Sequence, residues 1–517
     1  MIKNIKWLLL VSLTFVACNN DDEVATVDQN SSDGLPLTAG SADFSKYVAL
    51  GNSLTAGFCD NALFIEGQNG GYTNILSQQF ALVGGGEFKI PYMADNVGGL
   101  LLGGTPIQGP RLYFNGVGPV PVSGTPTTEI TNHLSGYYNN MGVPGAKSFH
   151  LLSNSYGNPA GIGSYANPYF VRFASSTTAT ILGDAVAQSP TFFSLWIGNN
   201  DVLSYATSGG IGTNQTGNFN PATYGGNDIT DPNVFANVYT NLVDGLTASG
   251  AKGVVANIPY VTSVPFFTTV PTNPLPGLPS ANVASLNQLF GGINQALTNA
   301  GLPTRYATLV ADDGNSATVE KNPLLIVDES LLDISAQITA ALTPVYGSTT
   351  AAFLGNLYGK TRHASNATGS IDYILLTARG VIGTTTASAP APFNTVGVSY
   401  PMQDNTTLTA DETAQVRTAT DAYNATIKSI SISKGLAFVD ANAVLAQVAS
   451  VGYTSNNYNV TSTFATGGAF SLDGVHPCPR GYALIANKFL EAINTAYGSN
   501  LKGVDLSKYQ IMYPSSL

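Results

Sequence analysis

The segment YVALGNSLTAG, residues 47–57, decides the fold class of this chain. Tyr47 to Leu50 form a short apolar run that is typical of a buried strand, and a Gly-Asn-Ser turn follows it directly. Three later apolar runs have the same character: TFFSLWIG (Thr191 to Gly198), KGVVANIPYV (Lys252 to Val261) and LAFVDA (Leu436 to Ala441). Because these runs are continuous rather than alternating, they indicate a mainly parallel sheet that is covered on both faces.

Amphipathic segments lie between the apolar runs, which is the order of an α/β protein. Two of them have clear start signals. Asp231 and Pro232 open one, with proline at a position where its missing N–H costs nothing, and Thr409 with Glu412 forms a capping box for another. The expected helices cover Gly71 to Leu82, a stretch around Thr178 to Gln188, Asp231 to Leu246, Thr409 to about Ile430 and Gly481 to about Tyr497. The fold class is therefore α/β, a three-layer sandwich.

The 517 residues exceed the roughly 250–300 residues at which single cores stop growing. The α/β alternation occupies residues 44–261 and 409–517, which we expect to form one core in two parts. Residues 262–408 interrupt it with runs such as DYILLTARGVIG, which are too apolar for a disordered linker. They predict a large inserted cap or subdomain at one edge of the sheet. A shorter insertion, rich in Gly and Pro, runs from about Gly84 to Ser135.

Residues 1–17 predict an export signal. Two lysines precede an apolar run from Trp7 to Val16, which is about half the length that a bilayer core requires. The segment leads into Cys18 and resembles bacterial lipoprotein signals, in which that Cys becomes the lipidated first residue. Phe15 and Val16 depart from the usual residues of such signals, and an ordinary secretory peptide is the alternative.

The lipoprotein resemblance implies an exported protein that is lipid-anchored to the outer membrane through Cys18. Residues 18–43 are acidic, polar and without apolar periodicity, so they predict a flexible tether. Its acidic run DDE (residues 21–23) also resembles signals that send lipoproteins to the cell surface. A plain soluble linker is the alternative interpretation.

The composition limits the classes of partner. Charged residues make up only 10% of the chain and the net charge is -11, so no basic stripe exists to neutralise the phosphates of a nucleic acid. No metal-ligand spacing such as His-Glu-x-x-His occurs, and we expect neither a metal nor a cofactor. Asp- and Asn-rich loops leave calcium binding open, and nothing in the sequence indicates an oligomeric state.

A serine, a histidine and an aspartate occur where a hydrolytic site on an α/β sheet is expected. Ser53 follows the first strand, at the edge of the sheet where ligand sites lie. Asp473 precedes His476 by three residues in DGVHP, just before the last helix. An imidazole can take the proton of a serine, and a carboxylate can fix the tautomer of that imidazole. The other histidines lack such a partner motif and are expected to be structural: His133, His150 and His363.

Two further turns offer hydrogen-bond donors for a developing oxyanion. GNND (Gly198 to Asp201) follows the strongest predicted strand, and Asn200 would present its side-chain amide. NMGVPGA, residues 140–146, would present the backbone N–H of Gly145 at the start of a helix. Each turn has a plain alternative as a connection after a strand.

Taken in order, these four pieces resemble the signature blocks of the GDSL (SGNH) hydrolase family. Those blocks are a Ser block, a Gly block, a Gly-x-Asn-Asp block and an Asp-x-x-His block. The resemblance covers about half of the chain, excludes residues 262–408, and implies a flavodoxin-like SGNH fold. One departure is that Asn52 stands where the family usually has Asp, which concerns the bracing of the turn rather than a catalytic role.

The family implies a role for each matched residue. Ser53 would be the nucleophile, His476 the general base and then the general acid, and Asp473 the residue that orients His476. The backbone N–H groups of Ser53 and Gly145 and the side chain of Asn200 would form the oxyanion hole. No cofactor is implied.

Three functions fit this resemblance. The first is a lipase or carboxylesterase that cleaves carboxylic esters, because apolar inserts near the site would line an acyl groove. The second is a carbohydrate esterase that removes acetyl groups from a glycan, since the same triad serves either substrate. The third is a non-catalytic surface lipoprotein with degenerate motifs.

The two cysteines beyond Cys18 lie close to the predicted catalytic residues in sequence. Cys59 follows Ser53 by six positions and Cys478 follows His476 by two. If Ser53 and His476 meet, the two sulfurs must also be near each other. A disulfide between them and two buried free thiols are the alternatives.

Overall fold

The computed structural model describes residues 34–315, 320–455 and 458–517. The predicted signal peptide (residues 1–17) and the predicted lipidation site, Cys18, lie outside these ranges. Five parallel strands form the central sheet: β1 (Tyr47–Gly51), β2 (Asn140–Gly142), β3 (Phe192–Trp196), β4 (Lys252–Ala256) and β5 (Ala437–Val439). Their order in space is β5-β4-β3-β1-β2, which is the 2-1-3-4-5 order of a doubly wound α/β sheet.

Burial explains why the strands have continuous apolar sequences. Every residue of β1, β2 and β3 is buried, because helices cover both faces of the sheet. The prediction of a parallel sheet in an α/β fold is confirmed. β2 is an edge strand that the sequence did not reveal, since its three residues lie within a turn-like Gly- and Asn-rich stretch.

The described residues contain thirteen α-helices: α1 (Ser53–Ala56), α2 (Ile65–Asn69), α3 (Tyr72–Ala81), α4 (Pro168–Val171), α5 (Ile181–Val186), α6 (Asn200–Thr207), α7 (Pro232–Thr247), α8 (Pro265–Thr268), α9 (Ser280–Asn299), α10 (Ser335–Tyr358), α11 (Ala410–Ser433), α12 (Ala441–Ser450) and α13 (Pro479–Tyr497). α3 and α13 pack together and cover one side of the sheet. α5, α7 and α11 form a second connected group against it. This arrangement is consistent with three layers.

The predicted helix starts are present. The side chain of Asp231 accepts the first free N–H groups of α7, and Thr409 and Glu412 form the capping box of α11. The largest difference in bounds concerns β4, which ends at Ala256 rather than at Val261. The carbonyl of Asn257 instead accepts the indole N–H of Trp196 at 3.0 Å, so the chain leaves the sheet there.

The interrupting segment, residues 262–408, has apolar clusters of its own. Its first residues, such as Phe267, pack on the main core. Between Val283 and Tyr358, buried side chains of α9 and α10 form a separate cluster, and a third smaller cluster includes Ile326 and Met402. The segment is therefore folded, as its apolar sequence indicated.

Short antiparallel two-stranded ladders lie outside the central sheet. Two of them lie in the shorter insertion, residues 84–135. The ladders pair Leu100–Leu102 with Thr105–Gln108, Leu112–Phe114 with Pro119–Pro121, Leu325–Val327 with Thr361–His363, Asn366–Ala367 with Ser370–Ile371, Tyr373–Ile374 with Thr407–Leu408, and Tyr453–Ser455 with Tyr458–Val460.

The folded part begins earlier than residue 44, where the predicted tether was to end. The side chain of Asn500 accepts the Thr38 N–H at 2.7 Å and donates to the Pro36 carbonyl at 3.1 Å. Ser41 donates its N–H to the Tyr497 carbonyl at 2.8 Å. The last residues of the predicted tether (residues 18–43) therefore pack against the end of α13, because these backbone groups find partners there. Within the described ranges, no helix combines the length and the hydrophobicity that crossing a membrane requires.

Candidate active site

The predicted site residues follow the ends of the parallel strands. Ser53 begins α1 directly after β1, and Asn200 begins α6 shortly after β3. His476 lies just before α13, on a loop that returns to the same edge of the sheet. This edge, at the carboxyl ends of the strands, is where doubly wound sheets bind ligands.

Ser53, His476 and Asp473 form a continuous hydrogen-bonded chain. The Nε2 atom of His476 lies 2.8 Å from Oγ of Ser53, although the two residues are 423 positions apart. The Nδ1 atom lies 2.9 Å from Oδ2 of Asp473. Because an ionised carboxylate only accepts hydrogen bonds, Nδ1 carries a proton and Nε2 is left to accept the serine hydroxyl.

The Asp473 carboxylate is surrounded by donors. Its Oδ1 atom accepts the backbone N–H groups of Val475 at 2.8 Å and of His476 at 2.9 Å. Burial alone would raise the pKa of Asp473, but the adjacent His476 ring and these N–H donors hold it below its usual value. Asp473 is therefore ionised at neutral pH, as the partner of an imidazole must be.

The turn that presents Ser53 is braced by Asn52. Its Oδ1 atom accepts the Leu54 N–H at 3.1 Å, which caps α1. Its Nδ2 atom is buried and has no hydrogen-bond partner among the described residues. Ser53 occupies the first position of α1, where a helix supplies no acceptor for the N–H group. That N–H is therefore available to a bound group.

Asn200 and Asp201 tie α6 to the loop that carries Gly145. Nδ2 of Asn200 donates to the Ala146 carbonyl at 2.9 Å, and the buried Asp201 carboxylate accepts the Ser148 N–H at 2.8 Å and the Ser148 hydroxyl at 2.7 Å. Gly145 has a φ of 81°, a conformation that favours glycine. The helix after it is a 3₁₀ turn that starts only at residue 148, so Gly145 lies on the loop before the helix rather than at its start.

A deep apolar cavity opens beside Ser53. It has a volume of about 950 Å³ including its open mouth. Asn200 and His476 line it together with Ser53, whereas Gly145 is exposed and is not among the described lining residues. Most of the wall is aliphatic or aromatic and comes from α12, α13 and the segment after β4: Val261, Val264, Leu445, Val448, Leu484 and Phe489.

The interrupting segment contacts the loop that carries the histidine. The N–H of Phe266, on α8, donates to the Gly474 carbonyl at 2.9 Å. Gly474 has a φ of 74°, and a Cβ atom there would lie 3.0 Å from Leu376 and 3.1 Å from the Phe266 nitrogen. The start of the interrupting segment therefore packs against the turn between Asp473 and His476 and holds it by a hydrogen bond.

The sequence did not reveal the residues that hold Asp473 from the Ser53 side. Ser471 donates to Oδ1 of Asp473 at 3.1 Å and accepts the Asp60 N–H at 3.0 Å. The N–H of Asn61 donates to Oδ2 at 3.1 Å. Oδ1 of Asp60 in turn accepts the Leu472 N–H at 2.9 Å. The Ser-x-Asp spacing is a weak local signal for the first contact, but nothing in the sequence marks Asp60.

Cys59 and Cys478 do not form a disulfide, so of the two alternatives that the sequence left open, two buried free thiols is the one found. Both residues are buried free thiols. The Cys478 thiol donates to the Gly468 carbonyl at 3.0 Å, which directs its sulfur into the loop before α13. Burial raises the pKa of both thiols, which keeps them protonated.

The remaining histidines have backbone partners. Nε2 of His133 lies 2.9 Å from a backbone carbonyl, and Nδ1 of His150 and of His363 each accept a backbone N–H. Burial lowers the pKa of His150 to about 3 and that of His363 to about 4, so both rings are neutral. These contacts suit the structural roles expected of them.

The fold and this geometry define an α/β protein with a Ser-His-Asp chain and an apolar cavity at the carboxyl edge of a parallel sheet. No protein-family model, curated protein or solved structure matches the chain.

Proposed function

We propose that this protein is a serine hydrolase of the GDSL (SGNH) type that cleaves carboxylic esters with an apolar acyl group, as a lipase or carboxylesterase does. The observation that carries the proposal is the hydrogen-bonded chain Ser53–His476–Asp473 at the mouth of an apolar cavity. A serine hydroxyl is a weak nucleophile unless a base stands ready to take its proton, and this chain supplies that base.

In the first half of the reaction, Oγ of Ser53 attacks the acyl carbon while its proton passes to Nε2 of His476. The carbonyl π electrons move to the oxygen and form an oxyanion. The Ser53 N–H, the Gly145 N–H and the Asn200 amide would stabilise that charge. The C–O bond to the alcohol then breaks, and Nε2 returns the proton to the leaving alcohol, which leaves an acyl ester on Ser53.

In the second half, water replaces the alcohol. His476 takes a proton from water as its oxygen attacks the acyl carbon, and the same donors stabilise the second oxyanion. Collapse breaks the bond to Oγ of Ser53, which regains the proton from Nε2. The products are a carboxylic acid and the free enzyme. Asp473 keeps the proton on Nδ1 and stabilises the imidazolium that forms in each half.

The cavity favours an acyl chain longer than acetyl. Its apolar wall removes aliphatic groups from water, at about 0.8 kcal/mol for each buried CH₂. An acetyl group would leave most of this apolar wall without contacts. A glycan acetyl esterase, the second function that the sequence resemblance allows, has no use for an apolar wall of this extent.

A fluorophosphonate probe tests the proposal directly, because it reacts covalently only with activated serines. We expect the purified protein to be labelled and to hydrolyse p-nitrophenyl esters, and Ser53→Ala to lose both properties. Ser204→Ala, at a half-buried position of α6, is the matched control and should retain both. Labelling that persists in Ser53→Ala would refute the assignment, and a wild type without labelling or turnover would leave the non-catalytic binding protein as the better account.

We also propose export and lipid anchoring through Cys18, since this suits an enzyme that acts on lipid or acylated glycan at a membrane. The support is the sequence of residues 1–18 alone. Metabolic labelling with a palmitate analogue tests it. Incorporation that Cys18→Ser abolishes is expected, and a wild type that incorporates no label would contradict the anchor.

A further inference from the structure

Three carboxylates converge far along the chain from the serine site. Glu329 and Asp404 belong to the interrupting segment, and Glu412 lies in the first turn of α11. The three can each place an oxygen so that all of them lie within 4.8 Å of one another. Such a separation between like charges is unfavourable unless something neutralises them.

Glu412 is a buried carboxylate with one oxygen unused. The residue is only 3% exposed. Its Oε2 atom accepts the Thr409 N–H at 2.7 Å and the Thr409 hydroxyl at 2.9 Å, as a capping box requires. Its Oε1 atom is buried and has no hydrogen-bond partner among the described residues, and the same is true of Oδ1 of Asp404. A native carboxylate with a buried oxygen and no donor calls for an unseen partner.

Two neighbouring carboxylates, Asp328 and Asp372, are neutralised by an arginine. Oδ2 of Asp328 lies 2.6 Å from Nε of Arg362, and Asp372 lies 2.5 Å from another nitrogen of the same guanidinium. In the described part of the chain, no ion pair reaches Glu329, Asp404 or Glu412. Arg362 therefore neutralises Asp328 and Asp372, whereas no cationic side chain of the described residues neutralises Glu329, Asp404 and Glu412.

The backbone of Gly210 lies against the carboxylate of Glu412. A Cβ atom on Gly210 would lie 1.8 Å from Oε1 of Glu412, so only glycine permits this approach. Gly210 has a φ of 80° and follows α6, the helix that begins with Asn200. The site thus lies where the interrupting segment, α11 and the end of α6 meet.

We infer that Glu329, Asp404 and Glu412 bind a divalent cation, Ca²⁺ in preference to Mg²⁺ or Zn²⁺, which joins the interrupting segment to the core. An all-oxygen set without His or Cys disfavours Zn²⁺. Three carboxylates suit Ca²⁺, which takes six to eight oxygen ligands in flexible geometry, better than Mg²⁺, which keeps much of its water.

Calorimetric titration of the chelator-treated protein with CaCl₂ tests the inference without any assay of turnover. We expect one equivalent of Ca²⁺ to bind with a Kd of roughly 10⁻⁵–10⁻³ M, between sensor sites and extracellular modules. Glu329→Gln alters an exposed residue and should not disturb folding, and Asp404→Asn removes the charge of the second ligand. Each should weaken binding by about tenfold or more, at least the loss that follows removal of a group that only supports a metal ligand.

Asp411→Asn is the matched control, because Asp411 is exposed, adjacent to Glu412 and outside the cluster. It should bind Ca²⁺ within about twofold of the wild type. A wild type that takes up no Ca²⁺ at millimolar concentration would overturn the inference. So would binding that survives in the double variant Glu329→Gln, Asp404→Asn, since the cation would then lie elsewhere.

Discussion

Asp60 and Asp473 share the hydroxyl group of Ser471. Its Oγ atom accepts the Asp60 N–H at 3.0 Å and donates to Oδ1 of Asp473 at 3.1 Å. The next residue, Asn61, donates its N–H to Oδ2 of the same carboxylate. The loop that follows Ser53 therefore fixes the carboxylate that pairs with His476, and hydrogen bonds join the two distant segments.

Asp473→Asn should lower kcat by about 10⁴, the loss known for this change in a serine triad. The amide would donate to Nδ1, so the proton of His476 would move to Nε2, which could then no longer accept the Ser53 hydroxyl. Because the pKa of Asp473 lies below its usual value, the wild-type carboxylate is ionised throughout the neutral pH range.

Steady-state kinetics on a p-nitrophenyl ester between pH 5 and 9 would measure this effect. Circular dichroism of Asp473→Asn should match that of the wild type, since the two side chains have the same shape. A kcat within tenfold of the wild-type value would show that this carboxylate does not set the tautomer.

Asn200→Ala should lower kcat by about 10²–10³ with little change in KM, because an oxyanion donor acts mainly in the transition state. Asn199→Ala is the matched control: it removes the adjacent amide, which lines the same cavity but is not assigned an oxyanion role. Equal losses in the two variants would contradict a specific role for Asn200, and a loss confined to KM would point to ground-state binding.

The sequence predicted the fold wherever local chemistry and burial agree. β1 and β3 are buried along their whole length and, apart from Ser194, carry mainly apolar residues because both faces of the sheet are covered, so their sequences indicated strands clearly. β2 was not predicted because three residues at the edge of a sheet show no periodicity, and its Gly and Asn residues also favour turns. The predicted end of β4 was wrong because the Asn257 carbonyl accepts the indole N–H of Trp196, and such a contact between distant residues leaves no local pattern.

The same distinction applies to the candidate site. Ser53, Asp473, His476 and Asn200 stand in short motifs whose chemistry is local, and the structure brings them to one place. The support from Asp60 and Ser471 depends on loops more than 400 positions apart, which no local pattern records. Glu329 likewise lies 75 positions before Asp404 and 83 before Glu412, so no local pattern indicated that the three carboxylates meet.

Acyl-chain selectivity should follow the apolar cavity. From acetyl to butyryl esters, kcat/KM should rise about tenfold or more, because each buried CH₂ contributes about 0.8 kcal/mol. Leu445→Trp would fill part of the cavity and should shift the optimum to shorter chains, whereas Val451→Trp, at the 77% exposed end of α12, should leave the profile unchanged. A preference of the wild type for acetyl esters would instead favour the glycan esterase.

The stability of the fold should depend on pH through Asp60, whose pKa shift is opposite in sign to that of Asp473. Burial raises the pKa of Asp60 to about 7, and the nearby Asp473 charge adds to this, although the Leu472 N–H opposes it. An acid whose pKa is about 3.9 in the unfolded chain and about 7 in the folded one binds more protons when folded. Asp60 therefore destabilises the fold progressively as pH rises from about 4 to about 7, by up to about 4 kcal/mol.

Asp60→Asn should remove this loss. Asn can still accept the Leu472 N–H through Oδ1, and it tolerates the φ of 50° found at this position. We expect the free energy of unfolding by urea to fall less between pH 5 and pH 8 in Asp60→Asn than in the wild type, because the folded variant need not lose a buried proton. Asp411→Asn, at an exposed carboxylate, should follow the wild type. Parallel pH profiles for the wild type and Asp60→Asn would mean that Asp60 is ionised throughout, paired with the buried Arg111.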